Sequence, residues 1–212
     1  MNDEFTAHGG AWVGSPAELR EIYRRPSGRA LQKELHALDR HCRHFISRSP
    51  FLTLATCGAN GELDCSPRGD GPGFVAVLDD RTLLIPDRRG NNRLDSLTNI
   101  TEHPRVALLF MVPGVDETLR VNGRARITRD PALLAPLEIQ RRTPPTGIVV
   151  EVESCYLQCA KALLRSRLWD PASRVERASF PTMGQMLADQ ITGLDGEAFD
   201  REASDPSRYR LY

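Results

Sequence analysis

Apolar and polar residues alternate most regularly in "ETLRVNGRARIT". There Leu119, Val121, Ala125 and Ile127 interleave with Arg120, Asn122, Arg124 and Arg126. Period two predicts a strand with one buried and one wet face. In "RVALLFMV" every position after the arginine is apolar, which predicts a strand buried on both faces. "FLTLAT" and "ELDCSP" flank "CGANG", whose Asn60-Gly61 predicts a hairpin. "FVAVLDDRTLLI" reads as two strands joined at Asp79-Asp80, and "GIVVEVESCYLQ" as one more. Six or so strands with short connections predict an antiparallel barrel, closed or nearly closed.

The helical pattern lies at the two ends of the chain. Ser15, Pro16 and Glu18 in "SPAELREIY" place a cap, a first-turn proline and a capping-box acid where a helix starts. A second helix is predicted from about Ala30 to Ile46, stopped by the serines and proline of "SRSP". A third is predicted over Cys159–Trp169, carrying Lys161, Arg165 and Arg167. Past Gly193 the chain turns acidic, then basic, and ends "DPSRYRLY". The predicted division is a helical extension over 1–46, a barrel over 47–170, and a C-terminal helix and tail over 171–212.

Composition narrows the functional classes. Hydrophobic residues make up 40% of 212, enough for a core. Lys+Arg and Asp+Glu are both 28, which argues against a general nucleic-acid binder. No apolar run approaches a membrane span. The first sixteen residues lack the basic and apolar regions of a signal peptide, so the cytoplasm is the expected compartment. Cys42, Cys57, Cys65, Cys155 and Cys159 form no CxxC pair. Cys155 and Cys159 read as small buried thiols. His36, His41 and His44 share one predicted helix but do not converge on one face, so no metal site is expected.

Two loops carry the candidate chemistry. "PDRRGNNR" places Arg88, Arg89 and Arg93 with Asn91 and Asn92 between an apolar run and a predicted short helix. "SPRGDGPG" ends a predicted strand, and its Ser66 and Arg68 offer an oxyanion a hydroxyl and a forked guanidinium. On pattern alone, an ordinary solvated turn is the better reading. Two Arg-bearing loops at the ends of neighbouring strands strengthen the case for a phosphate without reversing that order. GxGxxG, GxxxxGK[ST], GxSxG and HExxH motifs are all absent, so an anion here is expected to be held by side chains and turn amides.

The run "FLTLAT…GELDCSPRGD…TLLIPDRRGNNRLDSLTNITEHPRVALLFMVPG…ETLRVNGRARIT" resembles the pyridoxamine 5'-phosphate oxidase-like FMN-binding split-barrel family, in an actinobacterial-type branch. The likeness covers roughly 47–169, and "CAKALLRSRLW" fits it. It implies a mainly β fold with flanking helices, a six-stranded antiparallel split β-barrel. It also implies a homodimer with FMN at the interface. Carried over, Ser66 and Arg68 form one half of the phosphate site, and Asn91, Asn92 and Arg93 the other. Pro86 and Asp87 would lie along the ring edge. Lys161, Arg167 and Trp169 would line the pocket from the second subunit. The resemblance thus implies an FMN-dependent oxidoreductase acting on a small-molecule electron donor or acceptor, with no catalytic residue assigned. The alternative is a non-catalytic flavin, deazaflavin or haem binding protein. The Arg-Leu-His type substrate segment of the true oxidase has no match, so a substrate other than pyridoxamine 5'-phosphate is expected.

Overall fold

The computed structural model describes residues 12–205. They divide into two units between Glu34 and Leu35. In the first, Ser15 and Ser27 cap two short helices, α1 (Pro16–Ile22) and α2 (Gly28–Gln32). Ser15 Oγ accepts the Glu18 N–H, as the capping pattern predicts.

In the second unit, α3 spans Arg40–Arg48. The continuous helix predicted from Ala30 to Ile46 is therefore broken across 33–39. Leu35 instead exchanges backbone hydrogen bonds with Cys155, at 2.8 and 2.9 Å. Asp39 then starts a fresh helix, its carboxylate accepting the N–H groups of Cys42 (2.8 Å) and His41 (3.0 Å). Those bonds, led by the one from Cys42, hold the Asp39 carboxyl below its usual range. Helix propensity differs by only a few tenths of a kcal/mol per residue, too little to resist such ties.

Seven strands form one antiparallel sheet: β1 (Phe51–Cys57), β2 (Leu63–Gly69), β3 (Ala76–Val77), β4 (Thr82–Pro86), β5 (Arg105–Met111), β6 (Thr118–Thr128) and β7 (Gly147–Gln158). Six are long, and the two-residue β3 is the seventh. The order is β2-β1-β5-β6-β7-β4-β3, so β2 and β3 are free edges. Leu52, Leu83, Ile85, Leu108, Phe110, Val121 and Val150 nevertheless share one core. A single sheet can do this only by curling on itself, which leaves a barrel split along one seam. Helix α3 adds Cys42 and Ile46 to that core, and α4 (Asp95–Glu102) adds Ile100.

The hairpin at Asn60-Gly61 forms as its sequence predicts, with Gly61 at φ 91°. Strand β5 differs from expectation. Val106, Leu108 and Phe110 are buried, whereas Ala107, Leu109 and Met111 are only half-buried. Opposite them on β1, Thr53 and Ala55 are also half-buried and Phe51 is 37% exposed, so this outer face forms a shallow apolar strip.

β7 holds the other irregularity. It pairs with β6 in regular register until Asn122↔Ser154 is followed by Gly123↔Val152. Glu153 is the extra residue of a β-bulge. Inward positions on β7 are therefore Ile148, Val150 and Val152, then Cys155, because one extra residue flips the face. Glu153 itself reaches Arg105 at 2.7 Å. Cys155 is thus a buried thiol as expected, but Cys159 is exposed.

Short helices complete the chain: α5 (Pro131–Leu134) lies between β6 and β7. Beyond β7, the predicted helix shortens to α6 (Lys161–Ser166), ended by Arg167 in the left-handed conformation. Helices α7 (Met183–Gln190) and α8 (Gly196–Ser204) pack together through Gly184 and Gly196, where a Cβ on either would strike the other's backbone. The terminal "PSRYRLY" lies outside the described residues.

Candidate functional site

A cavity of 740 Å³ opens at the seam between the end of β2 and the end of β4. That volume suits a cofactor-sized ligand. Ser66, Arg68, Pro86, Asp87, Asn91, Asn92 and Arg93 all line it. Two loops well separated in sequence are thus brought onto one space.

Arg68 stands near the end of β2, half-buried, with Nη1 donating to the Pro67 carbonyl at 2.8 Å. It makes no ion pair among the described residues, so its charge is available to an anion. Ser66 is placed differently from a simple anion ligand. Its hydroxyl donates to the Asp64 carboxylate, which also accepts from the buried Ser96 at 2.6 Å. This carboxylate ties β2 to the first turn of α4.

The three arginines of "PDRRGNNR" divide their work. Arg88 is mostly buried and pairs with Asp70 at 2.7 Å. Arg89 is exposed on the cavity rim. Arg93 is 72% exposed and pairs with Asp95 at 2.8 Å. Asn91 Oδ1 accepts the Arg93 N–H, which shapes the turn. Asn92 and Leu94 both adopt positive φ, 60° and 62°. Asparagine tolerates that region, but leucine does so at a cost of about 1 kcal/mol or more.

Leu94 also begins α4, and no side chain caps that N-terminus. Residues 94–97 line the cavity. The N-terminus of α4, with the acidic Asp95 in its first turn, therefore borders the same space as Arg68. The sequence pattern placed only side chains and turn amides there and did not disclose this helix end. A left-handed leucine at the cap position has no sequence cue.

Arg142, Thr143, Pro144 and Pro145 form a further wall that the sequence pattern also left hidden. The turn before it puts Gln140 and Arg141 at φ 51° and 61°, positions where Asn or Gly would be the readable choice. Phe74 contributes a nearly buried apolar surface.

Asp87 is a half-buried carboxyl of the cavity. Burial pushes its carboxyl above the usual range, against the opposing pull of Arg68 and of the Thr146 hydroxyl 3.4 Å away. The fold therefore favours the protonated form, and the ionised carboxylate costs stability above its raised folded value. Asp87→Asn is expected to raise the melting temperature at pH 7–8, with the gain shrinking as pH falls towards the ordinary carboxylate range. Equal melting temperatures for the two proteins at pH 7.5 would contradict it.

Lys161, Arg167 and Trp169 do not line this cavity. Arg167 chelates Asp170 through Nε at 3.0 Å and Nη2 at 2.5 Å, and Trp169 Nε1 donates to the Val115 carbonyl at 2.8 Å. No helix among the described residues is long and apolar enough to cross a membrane.

A split antiparallel barrel with an arginine-lined cavity at its seam is the class of β-fold that this chain adopts. Within it, the chain belongs to the pyridoxamine 5'-phosphate oxidase family, whose model matches residues 38–159, more than half of the sequence. No curated protein sequence matches significantly. Among solved structures the chain is similar to HupZ of Group A Streptococcus, at 18% identity over 57% of this chain and 93% of that one, TM-score 0.47. A putative pyridoxamine 5'-phosphate oxidase of Lactobacillus delbrueckii is 21% identical over 58% and 98%, TM-score 0.45. An FMN-binding protein of Syntrophomonas wolfei is 11% identical over 55% and 88%, TM-score 0.43.

Proposed function

We propose that this chain is an FMN-dependent oxidoreductase acting on a small molecule, with the flavin held in the seam cavity of a homodimer. One observation carries the reading. Arg68, the 86–93 loop and the open end of α4 converge on one cavity in a chain of this family. A guanidinium with no ion-pair partner among the described residues and uncapped helix N–H groups suit a phosphate. Pro67, Pro86, Pro144 and Phe74 offer the apolar wall that a planar ring requires.

A bound flavin would supply the electron-transfer chemistry. The chain's own residues would seat the phosphate, keep water off the ring and place the Asp87 carboxyl beside it. We assign no catalytic residue. The sequence contains no Arg-Leu-His segment of the kind the true oxidase carries, and a substrate other than pyridoxamine 5'-phosphate is proposed.

The decisive measurement is the absorbance spectrum of the purified protein, with mass spectrometry of the molecule it releases. FMN is the expected result. A Soret band, or a released deazaflavin, would replace FMN with that ligand and overturn the assignment.

The dimer rests on the outer face of β1 and β5, where Phe51, Ala55, Ala107, Leu109 and Met111 form an apolar strip that one chain leaves partly open. Covering it with a second copy is expected to bury more than about 1,000 Å². In that assembly Lys161, Arg167 and Trp169 are proposed to face the other copy's cavity. A protein that sediments as a monomer at micromolar concentration with flavin still bound would contradict the dimer.

A further inference from the structure

The buried ion pair between Asp70 and Arg88 has more partners than a surface pair would. Arg88 Nε meets Asp70 Oδ2 at 2.7 Å, and the two side chains are 16% and 3% exposed. Arg88 Nη1 donates to the Leu137 carbonyl at 2.9 Å. Asp70 Oδ1 accepts the Gly71 N–H at 2.7 Å, and the Asp70 N–H donates to the Pro50 carbonyl at 3.0 Å. Both charges are therefore desolvated and hydrogen-bonded.

Its place in the sheet gives the pair a purpose. Asp70 directly follows β2, two residues beyond Arg68. Arg88 lies two residues beyond the end of β4 and opens the loop that carries Asn91, Asn92 and Arg93. In the ladder β2 and β4 are separated by four other strands, β1, β5, β6 and β7. No backbone ladder links the two halves of the cavity. The ion pair crosses the seam between them, and through Leu137 it also reaches the segment leading to Arg142.

Stability alone does not explain such a device. Replacing a buried ion pair by apolar side chains of similar volume is often neutral or stabilising. A guanidinium fork anchored on two elements does fix geometry, and a binding loop gains affinity from being held in its bound shape.

We infer that Asp70 and Arg88 are positioning residues: their ion pair clamps the 87–93 loop against the end of β2 and so holds the two halves of the phosphate site in register. The inference rests on the FMN reading for its ligand, but the clamp itself has a readout without one.

The test uses the full chain with the paired substitution Asp70→Asn/Arg88→Met, which removes both charges and changes the volume little. Amide hydrogen exchange of the ligand-free protein is expected to quicken by more than about tenfold over 87–94 while the β5–β6 core amides keep their protection. FMN affinity is expected to fall by more than about tenfold, with riboflavin affinity falling several-fold less, because the phosphate contacts depend most on the register. Unchanged exchange over 87–94 in the folded variant overturns the clamp. So does an unchanged FMN-to-riboflavin ratio in a protein whose parent binds both. A parent that binds neither flavin sinks the FMN reading, and the exchange result then decides the clamp by itself. If the paired variant does not fold, Arg88→Lys takes its place. It keeps the charge but loses the fork to Leu137, and the same two readouts decide.

Discussion

Arg68→Ala is expected to weaken FMN binding by roughly 10- to 150-fold and to leave riboflavin binding within about twofold. The range is the loss of one charge-assisted hydrogen bond, about 1.5–3 kcal/mol, expressed as affinity. Riboflavin lacks the phosphate, so it serves as the internal reference. Arg68 is singled out because it is half-buried, lines the cavity and makes no ion pair among the described residues. Arg93→Ala is expected to cost less, under about tenfold, because an exposed guanidinium already paired with Asp95 is screened by solvent. Arg89→Ala is expected to change little. Fluorescence quenching titrations with both flavins measure all three. FMN affinity equal to the parent's in Arg68→Ala would remove Arg68 from the site.

The largest stability effect is expected at Gly123→Ala. A Cβ on Gly123 would fall almost onto the Glu151 carbonyl oxygen, far inside van der Waals contact, with the Glu151 carbonyl carbon at 3.0 Å and Val152 Cα at 3.3 Å. Both neighbours are backbone of β7, so no side chain can turn away. This is also where β6 and β7 change register around the Glu153 bulge. Relief requires the two strands to part, which gives up ladder hydrogen bonds in the middle of the core sheet. A loss of about 3 kcal/mol or more follows, at the upper end of overpacking effects. Gly71→Ala is the control. A Cβ there would meet no atom within 4 Å, and the backbone φ lies outside the left-handed region. A change within about 0.5 kcal/mol is expected. Urea midpoints of the two variants and the parent check the claim. A Gly123→Ala protein with the parent's midpoint would show that the strands yield easily at the bulge.

The local patterns were legible because neighbours in sequence carry them. Alternation marked β6, Asn60-Gly61 marked the β1–β2 hairpin, and Ser15-Pro16 marked the start of α1. The two loops Ser66–Arg68 and 86–93, which line the cavity, were singled out by the family resemblance, since on pattern alone each reads as an ordinary solvated turn. Tertiary structure decided the rest. The helix expected across 30–46 breaks because Leu35 bonds to Cys155, 120 residues away in sequence. The inward face of β7 flips at Glu153 because β6 offers one residue fewer opposite it. Arg88 and Arg93 look alike in "PDRRGNNR", yet Arg88 meets a buried Asp70 and Arg93 an exposed Asp95. The wall at Arg142–Pro145 and the open end of α4 reach the cavity only when the sheet curls. Periodicity and capping report free energies among residues a few positions apart. Pairing across a curled sheet depends on which distant groups exclude water together, and no local pattern records that.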